Sequence, residues 1–442
     1  MRRRRRTDFR VRDVVVIGGG LAGLACAWRL KRLGKDVLVL ERDTETGGVV
    51  RTHEIDGFLV ESGPNTVLPT PGAIGIIRDA GLESEIVTAP SGLPRFVYLN
   101  GRLRKAPWAL SHRGMLRALA EPLVRRRGTA GDESLAAFFT RRFGREVHDR
   151  LVSPLVGGIY AGNTEELGVE GTFPRLGALE REYGSVMWGL LRSPRAGRSG
   201  LCSFRRGMAT LPRGLARGVD VRAGVSDIEV ARVGRRCWGV DAAGTGIEAR
   251  SVVLALPAHA LGRCFPDPPL EALAGDVVYA PVVVAAAGLD VGQVRSVPRG
   301  FGFLVPRREG LRILGTLFSS SLFPDRAPAG KILLTAFLGG RLDEESPGWP
   351  DARLWETVDA ELREVLRFSG DLGRVGLYRY ARGIPQYRIG HRAWRERVRL
   401  RLNELEGLFL TGNYLDGVSV PATLEHGCRT AEEVGRYLEK ET

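Results

Sequence analysis

Two rhythms of apolar residues alternate along this chain. Asp13–Ile17 (DVVVI) is an unbroken apolar run of strand length, Leu21–Leu33 repeats its apolar positions at helical spacing, and Lys35–Leu40 (KDVLVL) reads again as a strand. Turn-rich sequence follows to Pro71, then a helix near Gly72–Ala80 and a strand over Arg95–Asn100 that turns at Asn100-Gly101. From about Pro107 to Ser193 the spacing is mainly helical, as in Leu135, Phe138, Phe139, Phe143 and Val147, and Pro122 splits the block Leu110–Arg127. A glycine-punctuated link, Ser203–Gly214, leads to strands over Val219–Val230 and Gly246–Leu256. Apolar segments Val282–Leu289, Phe301–Val305, Arg312–Phe318 and Lys331–Leu338 predict an antiparallel sheet, Asp351–Phe368 a helix, Leu408–Leu410 a short strand and Pro421–Leu438 a closing helix.

Strand material at both ends and in the middle predicts an α/β fold with a discontinuous Rossmann-like nucleotide-binding domain, drawn from residues 13–80, 200–270 and 405–442. An inserted α+β substrate domain takes residues 81–106 and 271–404, a mainly helical domain residues 107–199, and a basic arm residues 1–12. A chain of 442 residues has room for two or three such domains, and no stretch of eighteen apolar residues predicts a spanning helix. Arg2–Arg6 are not followed by the apolar segment of a secretory signal. Five scattered cysteines without a CxxC pair fit a reducing cytoplasm and neither a disulfide framework nor a zinc site. The net charge of +14 is concentrated in two segments: residues 1–12 carry seven Arg and one Asp, and residues 102–127 carry eight Lys or Arg and one Glu. Neither interleaves aromatic residues in a nucleic-acid pattern, so no nucleic acid is expected, and the first reads as a solvated arm.

The chemistry is densest between Asp13 and Arg51. Gly18-x-Gly20-x-x-Gly23 joins the first strand to the first helix, Glu41 ends the next strand, and Gly47-Gly48-x-x-Arg51 follows. The glycines make a tight turn, let backbone reach a pyrophosphate and let helix pack on strand, while helix N–H groups face the phosphates. A carboxylate at the second strand's end can bind both hydroxyls of an adenosine ribose. No second GxGxxG occurs, which favours one tightly held dinucleotide. No triad, carboxylate pair or metal cluster stands out, so neither a catalytic side chain nor a metal ligand is predicted.

Further motifs resemble one family. Gly57-Phe58-x-x-Glu61-x-Gly63-Pro64-Asn65, Leu151 to Asn163 (LVSPLVGGIYAGN), Phe173-Pro174-Arg175-Leu176, Ile384-Pro385-Gln386-Tyr387 with Gly390-His391, and Gly412-Asn413-Tyr414 with Gly417 to Val420 are similar to those of oxygen-dependent protoporphyrinogen and coproporphyrinogen oxidases, within the flavin amine oxidase superfamily. The resemblance covers nearly the whole chain. It implies FAD as cofactor, with Gly18, Gly19, Gly20, Leu21, Ala22 and Gly23 at the pyrophosphate and Glu41 with Arg42 at the adenosine. It further implies that Gly47, Gly48, Val49, Gly63, Pro64, Asn65 and Thr66 border the flavin end, and that Val225 donates backbone contacts to the adenine. Gly412, Val418, Ser419 and Val420 would approach the pyrophosphate, ribitol and pyrimidine edge. Arg95 aligns with a family arginine that pairs with a substrate propionate. Tyr380 stands where relatives carry Trp, and Asn65 where some carry Arg.

The implied reaction removes hydride from a saturated meso carbon of a porphyrinogen, three times over. O2 is the acceptor and hydrogen peroxide the by-product, and no essential protein acid or base is needed. The implied setting is cytoplasmic, peripheral on the inner face of the membrane, with anionic lipid and a ferrochelatase as partners. The block Pro107–Arg127 supplies candidate apolar and basic groups for that surface, against the alternative of a helix packed on its own protein. Oxidation of an amine or carotenoid, a scaffold relative without flavin, and nucleic-acid binding through the arginine arm are the competing readings. Which porphyrinogen is used stays open.

Overall fold

Val14, Val15, Val16 and Ile17 are buried on both faces of a sheet, as expected for a continuous apolar run with parallel neighbours. The computed structural model describes residues 6–126, 131–193, 200–234, 236–294 and 299–440. In it these four belong to a strand, Arg6–Ile17, that starts earlier than hydropathy suggests. It lies between Thr245–Leu254 and Val37–Leu40, parallel to both. Asp220–Arg222 extends the sheet beyond Val37–Leu40, and Leu408–Leu410 pairs with the last residues of Thr245–Leu254. The first half of that long strand carries an antiparallel meander, Ile228–Gly234 and Cys237–Ala242.

Three expectations change here. Val219–Val230 is two strands at opposite edges of the sheet, because Gly224 and Asp227, at φ +74° and +55°, turn the chain between them. Ser203–Gly214 is more than a link: it overlaps the strand Cys202–Phe204 and the helix Thr210–Ala216, and Gly207 (φ +82°) supplies a single turn. The basic arm is partly structured. Residues 1–5 lie outside the described residues, but Arg6 already pairs with Thr245, and the Arg12 guanidinium donates to Asp36 and Asp220, both at 2.9 Å.

A second sheet has the order Gly373–Pro385, Tyr279–Asp290, Lys331–Gly339, Ile313–Leu317, Gly302–Leu304, Arg95–Leu99, Arg102–Lys105. It is mixed rather than purely antiparallel, since Gly302–Leu304 runs parallel to Arg95–Leu99. Alternation along its strands gives it two apolar faces. Val283, Ala285, Leu334, Ala336 and Leu338 meet Leu354, Val358 and Leu362 of the amphipathic helix Asp351–Leu366. On the other face Val282, Val284, Phe337, Tyr378 and Tyr380 pack with Ala161 and Leu314, and Tyr378 stacks on His53, ring centroids 4.8 Å apart.

Among the described residues between 106 and 192 the chain is mainly helical, around a core of Leu135, Phe138, Val152, Val156, Leu179 and Val186. Pro122 does split its block, into the helix His112–Leu119 and a single turn, Glu121–Leu123; Arg127 lies outside the described residues. Arg142, fully buried, forms an ion pair with the equally buried Glu121 and donates to the carbonyls of Val124 and Gly184 at 2.9 and 3.0 Å. Glu121 also accepts from Ser185 Oγ at 2.5 Å and from the Val186 and Met187 amides at 3.0 and 3.2 Å. Every charge in that knot has a partner, the condition for burying one at all.

Candidate functional site

The glycine turn after Ile17 shows why each glycine is there. Gly18 has φ +106° and its N–H donates to the Leu40 carbonyl at 2.8 Å; a Cβ on it would sit 2.5 Å from the Ala255 oxygen. A Cβ on Gly23 would lie 2.0 Å from the Gly18 oxygen, so only glycine lets the helix Leu21–Arg32 press on the turn. Gly20 differs: its backbone is extended and a Cβ there would meet nothing within 4 Å. No side chain caps the helix, and its first turn, with Leu21 and Ala22, holds no acidic residue. A helix start with uncapped N–H groups beside an open Cα direction fits a pyrophosphate.

Glu41 reaches this turn from the end of Val37–Leu40. Its Oε2 accepts from the Gly19 amide at 2.6 Å and its Oε1 from the Asp43 amide at 2.8 Å, which aims the carboxylate across the mouth of the cradle. Arg42 is exposed, with Nε 3.5 Å from Asp43. Gly47 (φ +115°) donates to the Gly19 carbonyl at 2.8 Å, and a Cβ on Gly48 would lie 3.3 Å from the Gly20 Cα, so the two glycine turns lie against each other. Arg51, noted in the sequence without a role, ties the second glycine turn to the segment after Glu41 through Gly48 O (2.9 Å) and Asp43 (2.5 Å).

Val49 is half exposed, and a Cβ on Gly63 would overlap its carbonyl at 1.9 Å. Pro64, Asn65 and Thr66 follow; Asn65 Nδ2 donates to the Gly63 carbonyl at 3.0 Å, and Asn65 and Thr66 line a narrow crevice with Ser319, Phe323 and Arg326. Leu408–Leu410 delivers Gly412 to the same side, and Ser419 caps the long helix Val420–Glu439, its Oγ accepting from Ala422 at 3.3 Å. Val418 leans on the helical core instead. The long helix crosses the first one closely: a Cβ on Gly427 would lie 2.4 Å from the Ala22 oxygen, a contact invisible in the sequence.

Val225 departs from its expected place: it lies in a loop rather than a strand, and its N–H donates to the Glu41 carbonyl at 2.9 Å, which leaves its carbonyl and side chain for other contacts. Tyr380 lies on the sheet face that also carries Ile384 and packs with Ala161, while its neighbour Tyr378 takes the stack on His53. Arg95 opens its strand exposed, its guanidinium 5.1 Å from the Phe301 ring centroid. It stands five strands from Tyr380, about 24 Å along the sheet at ordinary strand spacing.

The buried ionisable groups are engaged structurally. Glu61 accepts from Thr52 Oγ1 at 2.7 Å and from the Met208 amide at 2.9 Å, with Arg326 at 3.9 Å; burial pushes its carboxyl up to about 7. Arg326 is itself buried and donates to Ser203 Oγ and the Phe204 carbonyl, which ties the second sheet to the nucleotide side. Burial lowers His391 and His426 to about 4, so both are neutral at physiological pH. His426 bonds Thr411 at 2.9 Å.

An open glycine cradle with a carboxylate at its lip, backed by a second sheet with an aromatic face, defines a dinucleotide-dependent oxidoreductase fold. The model of the flavin containing amine oxidoreductases matches residues 21–435. Among curated relatives, protoporphyrinogen oxidase 1 of Arabidopsis thaliana chloroplasts is 31% identical over 97% of this chain and 89% of its own length. Coproporphyrinogen III oxidase of Bacillus subtilis is 27% identical over 97% of this chain and 98% of its own. The solved structure of a proposed protoporphyrinogen oxidase from an Exiguobacterium species superposes with a TM-score of 0.83 at 24% identity, covering 96% of this chain and 99% of that one. The chain belongs to the flavin-containing amine oxidoreductase family and is an oxidase with FAD as its cofactor.

Proposed function

We propose that the chain is a porphyrinogen oxidase that takes six electrons from coproporphyrinogen III or protoporphyrinogen IX in three two-electron rounds, with O2 as acceptor and hydrogen peroxide as by-product. The observation that carries this reading is the open Gly20 cradle beside a separate sheet with an aromatic face and a cationic end. Such a pair suits a cofactor and a large apolar substrate with carboxylate arms. Bound FAD supplies the two-electron acceptor. The nucleotide half, drawn from residues 13–80, 200–270 and 405–442, does the holding. Gly18 to Gly23 take the pyrophosphate, Glu41 the ribose, and Arg42 the adenosine side. Gly47, Gly48, Val49 and Gly63 to Thr66 border the flavin. Gly412 and the backbone of Val418 to Val420, where a 20-residue helix begins, face the edge on which negative charge collects. Arg95 forms a charge-assisted pair with one propionate at the far rim.

No side chain is assigned as acid or base. A meso carbon that loses hydride leaves a cation spread over adjoining pyrroles, and an N–H proton departs from there, so the site has to orient the carbon and exclude water. Each porphyrinogen, supplied without air to the yellow holoprotein, should bleach it; admitting oxygen should restore the colour and produce porphyrin fluorescence. A holoprotein that neither porphyrinogen bleaches refutes the reading, and the ratio of the two rates identifies the substrate.

The surface supports membrane contact. Among the described residues no helix is long and apolar enough to cross a membrane. Trp108, Leu116, Leu119, Leu123 and Leu191 are nevertheless each more than half exposed, in the helical segment that also carries the exposed Arg113 and Arg125. Leucines that dip into the acyl boundary while arginines meet headgroups give peripheral binding. Co-sedimentation with anionic vesicles that weakens with salt supports this, and equal absence from anionic and neutral vesicles removes it. A ferrochelatase that accepts the product belongs to the same proposal.

A further inference from the structure

Between the strand Gly373–Pro385 and the helix His391–Glu404 runs a short strap, Gln386 to Gly390, wired in three directions. Toward its own sheet, the Gln386 amide donates to the Val278 carbonyl at 2.9 Å. Toward the helical region, Gln386 Nε2 donates to the Tyr160 carbonyl at 2.8 Å, and the Gly168 amide donates to the Tyr387 carbonyl at 2.9 Å. The Gly390 amide reaches Asp132 at 3.1 Å.

The third direction leads to the segment joining Leu408–Leu410 to the long C-terminal helix. Tyr387 is 2% exposed; its hydroxyl donates to the Asn413 carbonyl and accepts the Gly417 amide at 2.6 Å. His391 lies parallel to the Tyr387 ring, centroids 4.1 Å apart and planes 13° off, with Nε2 3.3 Å from the Leu415 carbonyl. Trp394 closes the stack behind it at 5.2 Å and spends its own N–H on the Leu273 carbonyl. Three backbone groups of one short loop are therefore held by Tyr387 of the strap and His391 at the start of the helix after it, and the loop ends at Val418.

We infer that Tyr387 is the positioning residue for the cofactor: its hydroxyl sets the loop 412–417, and thereby the Val418 to Val420 backbone, against the flavin. This rests on the FAD reading above. Tyr387 touches no reacting atom in this assignment; it acts through the loop. The placement also explains the spacing Gln386-Tyr387-x-x-Gly390-His391. Gly390 (φ +86°) turns the chain into the helix, so that His391, four residues after the tyrosine, comes back beside it.

Tyr387→Phe keeps the ring and its stack but leaves the Asn413 carbonyl and the Gly417 amide without their partner. Trp394→Phe disturbs the same stack and the edge-on ring contact with Tyr414 but removes no hydrogen bond to the loop backbone, so it serves as the structural control. In Y387F the Kd of apoprotein for FAD should rise about tenfold or more, the loss expected for one or two buried hydrogen bonds. The reduction potential of its bound flavin should move to a more negative value, because the amides facing the reduced ring are displaced. W394F should lower the apoprotein Tm and leave both quantities as in wild type. A Y387F protein with wild-type Kd and potential overturns the inference alone. So do Kd increases in Y387F and W394F that simply track their losses in Tm. A wild-type chain that takes up no FAD overturns it together with the reading on which it rests.

Discussion

Gly20 offers a substitution whose effect should fall on the ligand alone. Its backbone, φ −71° and ψ 175°, is open to alanine, and the added Cβ meets no protein atom within 4 Å. In the apoprotein Gly20→Ala gains about 0.4–1 kcal/mol from a stiffer unfolded chain and gives back about 0.5–1 kcal/mol at a helix N-cap, so the net change stays within about 1 kcal/mol. With FAD present the same methyl stands where a phosphate oxygen must come to about 2.9 Å from backbone N–H. Moving the phosphate out by roughly 1 Å forfeits about two charge-assisted hydrogen bonds at about 1.5–3 kcal/mol each, or about a hundredfold to ten-thousandfold in Kd. Gly23→Ala is the counterpart. Its Cβ would lie 2.0 Å from the Gly18 oxygen and 2.9 Å from the Ala255 Cβ, so overpacking of about 1–3 kcal/mol or more should appear without any ligand. Urea melts of the two apoproteins and FAD titrations by flavin fluorescence separate the cases. If G20A binds FAD like wild type, the pyrophosphate is not in this cradle; if its apoprotein melts as early as that of G23A, the glycine is there for packing.

Three further outcomes follow from other parts of the molecule. Arg95→Ala should raise KM for the porphyrinogen at least tenfold with kcat within a few-fold, and an unchanged KM would end its role as a propionate anchor. Glu121→Ala leaves the fully buried Arg142 guanidinium without its main carboxylate and should cost about 3–5 kcal/mol in urea denaturation; a loss under 1 kcal/mol would mean that Glu180 replaces it. Burial holds His426 at about 4 against an ordinary value of 6.5. The unfolded chain therefore binds its proton first on acidification, and the native state loses stability as pH falls from 6.5 through 4. Wild type should lose up to about 3 kcal/mol more than His426→Gln between pH 7 and pH 4, and parallel stability profiles would show that the ring takes up its proton as readily in the fold as in the unfolded chain.

The nucleotide half was legible because its signals are local. Strand, glycine turn, helix and acidic strand end follow one another within thirty residues, and each carries its own physical requirement. The hairpin Thr52–Ile55 with Phe58–Glu61 was also signalled, by Asp56-Gly57 at φ +49° and +77°, yet it was absorbed into a turn-rich stretch because its strands are short. Val225 misled for a different reason. An apolar residue between two strands reads as strand, and nothing local reveals that its N–H is already spent on Glu41.

The second sheet's edge strand and the helix after the strap hid behind arginine. Gly373–Pro385 is the sheet's edge strand, and Arg374, Arg379 and Arg382 break its alternation; only Pro385 is fully buried. The helix His391–Glu404 carries five arginines and buries just Trp394 and Val398, too few to show a helical period. In this chain arginine fills exposed positions on strands and helices alike, so polar no longer means loop. Function made the strap harder still to see. Tyr387 and His391 do their work by bonding a loop that is distant in sequence, and a bond to backbone leaves no mark on the residues it reaches. The glycine cradle proposed for FAD is written in consecutive residues, whereas the contacts that hold the loop 412–417 exist only once the chain has folded.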